Sequence, residues 1–348
     1  MPPDASPSKA RSADWAEQAA ISALPKVWRA PLSALGLAAL FLMALTAREW
    51  GEMFHQWWNI DTYTHILLVP FIVGWLVWLK LEPLMTMVPR ASALGLALVM
   101  AGLGLWLLGR GTGINLIAQA GAVGAVQGAV VAVLGIRISW LLALPLAYLT
   151  FLVPFGDEII PFLQSITAEM AIALTLFSGV PAQIDGIYID TPAGLFIVAE
   201  ECSGVKFLIA MVTLATLIAF TRFESWSRRA ILMVAAIIIP ILANGVRAWG
   251  TIFIAQFAGV EFAEGFDHVI YGWVFFAIVV ALILAGAWRF FEKEPEDYGY
   301  SAEQVARQSW INRLEALRVS PAVAMAAIVA FTLIAVVFVS TIAPAALG

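Results

Sequence analysis

The chain has 348 residues, 62% of them hydrophobic, with a mean hydropathy of +0.91 and a net charge of −5. Soluble domains run at roughly 45–50% apolar, so this composition excludes an ordinary soluble enzyme and points to a chain that crosses a membrane many times. The single cysteine excludes an internal disulfide framework, and with neither a basic stripe nor zinc-ligand spacing, nucleic acid is not an expected partner.

In chain order, residues 1–30 read as a polar, Pro/Ser/Ala-rich tail with a short surface helix over 14–24 and no cleavable signal peptide. A spanning helix takes about 20 apolar residues. Nine segments approach that length: 31–47, 66–79, 91–109, 114–134, 138–153, 203–220, 230–255, 269–291 and 321–343. The pattern predicts an all-α polytopic membrane protein with about eight or nine transmembrane helices. Trp50, Trp57 and Trp58 cluster between the first two spans, where interfacial aromatics are expected. Segments 91–109 and 114–134 are separated only by Arg110-Gly111-Thr112-Gly113, and Gly121, Gly124 and Gly128 suit close helix packing.

Residues 154–201 carry acids but no Lys or Arg. Their first half has helical periodicity and reads as a helix that lies flat or re-enters. Their second half reads as a small extracytoplasmic β-hairpin, Ile187-Tyr188-Ile189 and Leu195-Phe196-Ile197-Val198 around a Thr191-Pro192-Ala193-Gly194 turn. An edge strand of this kind suits an extended peptide held by strand addition. Residues 31–291 thus make a transmembrane core. Residues 292–320 read as a charged cytoplasmic segment with an amphipathic helix over 302–317, and 321–348 as a final apolar helix and tail that stand apart.

Lys and Arg set the orientation. With the N-terminus in the cytoplasm and strict alternation, all but four of the 19 fall inside; Arg48 and Arg110 lie outside, and Lys206 and Arg247 lie within helices. The same alternation puts the hairpin, Cys202 and His268 outside together.

Cys202 sits where the hairpin ends and the run 203–220 begins. A thiol at a helix N-terminus is drawn toward thiolate by the dipole and free N–H groups. Lys206, one turn on, acts in the same direction, and Glu200 and Glu201 oppose it. The competing reading is a buried small hydrophobe. Arg247 is embedded in an apolar run, where an unpaired guanidinium costs about 2.5–3.5 kcal/mol on an insertion scale. Its partner is either Glu200 or Glu201 in a structural ion pair, or the oxyanion that develops at a reacting carbonyl. Asn244, three residues earlier on the same face, reads as a second donor or a support for Arg247. His268, behind Asp267 as N-cap, reads as a helix cap or as a general acid–base group. Asp61 and His65, four apart, share a face on an α-helix. Two such groups without a third make no metal site, so an orienting or packing role is expected, with neither metal nor cofactor.

These motifs, in this order, resemble the exosortases, most closely the exosortase A type. The matching stretches are Trp58-Asn59-Ile60-Asp61-Thr62-Tyr63-Thr64-His65 with Leu68-Val69-Pro70, Glu201-Cys202-Ser203-Gly204-Val205-Lys206-Phe207-Leu208, Pro240-Ile241-Leu242-Ala243-Asn244-Gly245-Val246-Arg247-Ala248, and Asp267-His268-Val269-Ile270-Tyr271-Gly272-Trp273-Val274-Phe275-Phe276. They run from about residue 35 to about residue 290. The resemblance implies a bacterial inner-membrane cysteine protease or transpeptidase with Cys202, Arg247 and His268 as catalytic trio on the periplasmic side. The implied partner is a membrane-tethered PEP-CTERM protein, cut near its Pro-Glu-Pro motif through a thioester, with an acceptor that the resemblance leaves open.

Two other classes compete. A transporter also places Lys206 and Arg247 within helices, yet needs a polar path at mid-depth, and the inner halves of segments 203–220, 230–255 and 269–291 are nearly all apolar. A non-catalytic scaffold for envelope assembly would tolerate loss of the thiol. No GxSxG or HExxH motif occurs.

Overall fold

The computed structural model describes residues 25–261 and 272–342. Its helices are α1 (Lys26–Leu45), α2 (Ala47–Asn59), α3 (Val69–Leu79), α4 (Leu81–Met85), α5 (Ala93–Thr112), α6 (Asn115–Leu134), α7 (Ile136–Leu141), α8 (Ala143–Tyr148), α9 (Ile160–Phe177), α10 (Val205–Arg222), α11 (Trp226–Ala258), α12 (Gly272–Trp288), α13 (Ala302–Arg307), α14 (Ser309–Leu314) and α15 (Pro321–Ile342). Three strands, β1 (Gln183–Asp185), β2 (Tyr188–Thr191) and β3 (Gly194–Ile197), lie between α9 and α10. Among the described residues, seven helical segments are long and apolar enough to cross a membrane: Lys26–Leu45, Asp61–Leu79, Ala93–Thr112, Asn115–Leu134, Asp157–Phe177, Glu200–Arg222 and Trp226–Ala258. Shorter apolar helices cover Ala143–Leu152, Val274–Trp288 and Pro321–Val337. The chain is an all-α polytopic membrane protein with one small sheet.

Two segments depart from the expected spans. Segment 138–153 is not one helix but α7, α8 and a 3-10 turn over Leu149–Leu152. Pro145 explains the break: it has no N–H to give to the Leu141 carbonyl, and its ring clashes there. Conversely, Asp157–Phe177 is a continuous helical stretch long enough to span. Its polar Gln164, Thr167 and Thr175 are buried, whereas Phe162 and Phe177 are exposed.

The described residues of 1–54, 68–153 and 299–348 form one compact unit. Its centre is the α5–α6 hairpin, turned by Gly113 in the left-handed region (φ 75). A Cβ at Gly102 or Gly121 would run into the backbone of Ala125 or of Trp106 on the facing helix, so the two backbones approach as only glycine allows. Arg110 closes the far end of α5 with its guanidinium 3.6 Å from the buried Glu49. α15 does not stand apart. Its Ile328 and Ala335 share a core with Trp28, Ala38 and Leu42 of α1. The expected 302–317 helix is likewise two pieces, broken at Gln308, whose backbone is extended (φ −72, ψ 111). A capping box between Ser301 and Gln304 starts α13, and Tyr300 and Trp310 both pack on Trp140. Glu315 then binds Arg137 at 2.7 Å and Arg90 at 3.1 Å.

The described residues of 55–67 and 154–298 form the second unit. The sheet has order β1-β2-β3, all antiparallel, with Ile184 opposite Ile189 and Ile189 opposite Phe196. Two of these strands match the expected hairpin, whereas β1, a short strand exposed at all three residues, was not foreseen. Met211 and Ala215 of α10, Leu232 and Ala236 of α11, and Val279 and Ile283 of α12 make the main core. A second core joins Ala168, Ala171 and Ile172 of α9 to Ile189 and Val198 of the sheet region and Ile252 of α11. α11 has 33 residues, about 50 Å at 1.5 Å per residue, against about 30 Å of hydrocarbon. Its final turns therefore carry the sheet: Gln256 Nε2 donates to Thr191 Oγ1 at 3.1 Å. At the opposite end of α11, Glu292 Oε2 accepts from the N–H groups of Glu224 and Ser225 at 2.6 and 2.9 Å.

Candidate active site

Val198 N–H donates to the Ile187 carbonyl at 2.9 Å, carrying the sheet one residue past β3. Residues Glu200–Cys202 then form a 3-10 turn, with Cys202 N–H on the Ala199 carbonyl at 2.9 Å. α10 starts only at Val205, with Gly204 as its left-handed N-cap (φ 79). Cys202 therefore precedes the helix instead of opening it, and the dipole, which acts within the first turn, reaches its thiol less than the sequence led us to expect. The side chain is partly buried and packs, as Ala248 does, on the core of Ala168, Ala171, Ile172, Ile189, Val198 and Ile252. Glu200 and Glu201 are exposed.

Asn244 joins this turn to two helices. It is 3% exposed. Its Nδ2 donates to the Cys202 carbonyl at 2.8 Å and to Thr167 Oγ1 at 3.1 Å. The approach is so close that a Cβ on Gly204 would fall 2.6 Å from Asn244 Cγ. Gln164, one turn before Thr167, donates to the Val198 carbonyl at 2.9 Å. The chain on both sides of Cys202 is thus hydrogen-bonded to α9 and α11. Further along α11, Trp249 Nε1 donates to Ser178 Oγ at 2.9 Å.

Arg247 follows Asn244 by one turn and is 6% exposed. Its guanidinium lies 5.8 Å from the Phe207 ring, which also carries the Lys206 ammonium at 5.2 Å and stacks on Phe276 at 4.5 Å. A hollow of about 10 Å³, bounded by Asn244, Arg247, Phe207 and Phe276, lies among α10, α11 and α12. The structure thus brings Cys202, Asn244, Lys206 and Arg247 into one neighbourhood. Asp267 and His268 lie outside the described residues.

Asp61 and His65 do not pair. The stretch Asp61–Leu68 is a 3-10 helix, in which residues three apart, not four, line up. His65 Nδ1 contacts the Thr62 carbonyl at 3.0 Å, and Asp61 is exposed. The contact that holds this stretch is Tyr63 Oη donating to Asp157 Oδ1 at 2.6 Å, a pair that sequence reasoning missed. Gln164 and Thr167 were missed too; their signal is two polar residues three apart in an apolar helix. Among the described residues, no three His, Cys, Asp or Glu side chains gather as a metal-binding group.

A family model for transmembrane exosortases matches residues 57–285, more than half of the 348-residue chain. This chain belongs to the transmembrane exosortase family. The exosortase match takes in Asp61, His65, Cys202, Asn244, Arg247 and His268, together with the whole sheet. As an exosortase, the protein is a membrane-embedded sorting enzyme in general terms. Neither the curated proteins nor the solved structures contain a match.

Proposed function

We propose that the protein is a membrane-embedded cysteine protease or transpeptidase of the exosortase A type, which removes the C-terminal PEP-CTERM sorting signal of exported proteins. It sits in the bacterial inner membrane with its N-terminus in the cytoplasm and its thiol on the periplasmic side, as the Lys and Arg distribution favours. His268 takes the thiol proton of Cys202. The thiolate adds to the scissile carbonyl, and the guanidinium of Arg247 stabilises the oxyanion. Collapse breaks the C–N bond, His268 returns the proton to the leaving amine, and the acyl group remains on sulfur as a thioester. Water or an acceptor amine then attacks the thioester and restores the thiol. Asn244 and Lys206 act as positioning residues for the turn and for Arg247, and the sheet edge next to Cys202 is suited to the extended peptide.

The observation that carries this reading is the 2.8 Å bond from Asn244 to the Cys202 carbonyl. It ties the thiol's turn to the helix that bears Arg247, which a transporter has no reason to build. Co-expression with a C-terminally tethered PEP-CTERM protein tests it. Wild type is expected to yield a processed band and a thioester adduct detectable by mass, and Cys202→Ser neither. Processing that survives Cys202→Ser would sink the proposal.

A further inference from the structure

A groove of about 460 Å³ runs along the seam between α11 and α12, in the unit that holds Cys202 and Arg247. Its walls include Ile231, Ala235 and Ile239 of α11 and Leu282 and Gly286 of α12. Arg228 is the one charged lining residue; it stands at one end, 3.0 Å from Glu292. At the other end the same two helices enclose the small hollow beside Asn244 and Arg247. Pro240 and Val279 of that hollow adjoin Ile239 and Leu282 of the groove, so the two follow each other along a single seam. From Ile231 to Arg247, α11 rises about 24 Å, most of the depth of the hydrocarbon layer.

The groove part of the seam is open, whereas Arg247 at its far end is 6% exposed. Ile231 is 68% and Leu282 67% exposed. Ala235, Gly286 and Ala287 line it with small side chains, the composition that lets another helix backbone approach closely in a membrane. A second groove, of about 370 Å³, is lined by α5, α6 and α8, in the unit that contains neither Cys202 nor Arg247. We propose that the α11–α12 seam is the docking track for the membrane helix of the tethered substrate. The track delivers the peptide just beyond that helix to the level of Arg247. This inference rests on the thiol-transfer reading and assigns to it the surface that receives the substrate.

Photo-crosslinking in the full chain tests it. The Cys202→Ser chain is co-expressed with a single-span reporter made of a soluble domain, a Pro-Glu-Pro segment, an apolar helix of about 20 residues and an Arg tail. Benzoylphenylalanine replaces Ile239 or Leu282, or Leu98 of the second groove as control. Reporter crosslinks are expected from Ile239 and Leu282 and not from Leu98. In the active chain, Gly286→Trp fills the track and is expected to raise KM for the reporter about tenfold more than it lowers kcat. Ile231→Trp repeats the test at a residue that is 68% exposed, so misfolding of one variant leaves the other decisive. Crosslinks confined to phospholipid or to a second copy of this chain, or as strong from Leu98, overturn the docking assignment even where processing still depends on Cys202. Processing that is independent of Cys202 overturns the reading beneath it.

Discussion

Asn244 commits both amide protons of its side chain to the turn that carries Cys202 and to Thr167 of α9. Asn244→Ala leaves the Cys202 carbonyl without that donor in a buried setting, a loss of about 1–3 kcal/mol. A lowered thermal midpoint in detergent is the expected readout. Gly204→Ala forces a side chain into the left-handed region, at roughly 1–2 kcal/mol, and drives its Cβ against Asn244. Truncating Asn244 relieves the clash but not the backbone strain, so the double variant is expected to lose less than the sum of the two; strict additivity would refute the contact. Cys202, Asn244 and Arg247 were legible in the sequence because each is a chemically unusual residue in an apolar run. Thr167 and Gln164 were not, because an ordinary polar residue does not declare which distant backbone it will bond.

At the scale of elements, periodicity found most helices and misplaced those whose limits depend on neighbours. Pro145 split an apolar run long enough to mislead a length count. The 302–317 helix broke at Gln308, two residues before Trp310 packs on Trp140. The joint between α10 and α11 offers a pH test. The Ser225 N–H first, then the Glu224 N–H and the charges of Arg228 and Arg229, hold the Glu292 carboxyl below its ordinary value of 4.5. A folded-state pKa below the unfolded one gives a contribution that is full at neutral pH and lost as pH falls through the folded value. Glu292→Gln is therefore expected to lower the thermal midpoint at pH 7 and to converge on wild type as the pH falls from 4.5 through the folded value. A constant gap across that range would assign Glu292 no linked proton.

At the scale of the whole molecule, the Lys and Arg asymmetry makes a prediction about sidedness. In a Cys202→Ser background, which removes the chain's one cysteine, Pro192→Cys in the β2–β3 turn is expected to react with an impermeant maleimide in intact spheroplasts. Glu303→Cys on α13 is expected to react only after lysis; the reverse pattern would invert the orientation. By itself the sequence determined that this chain lives in a membrane and singled out the residues proposed to carry its chemistry, since hydropathy, charge bias and rare reactive side chains are properties of short stretches. Only the tertiary structure decided that α15 belongs to a core with α1, that Cys202 rides on a turn ahead of its helix, and that Asn244 ties that turn to α9. The first and last are contacts between residues far apart in the chain, chosen by which surfaces pack together when the helices assemble; the turn at Cys202 is a local backbone choice that the Asn244 bond holds in place.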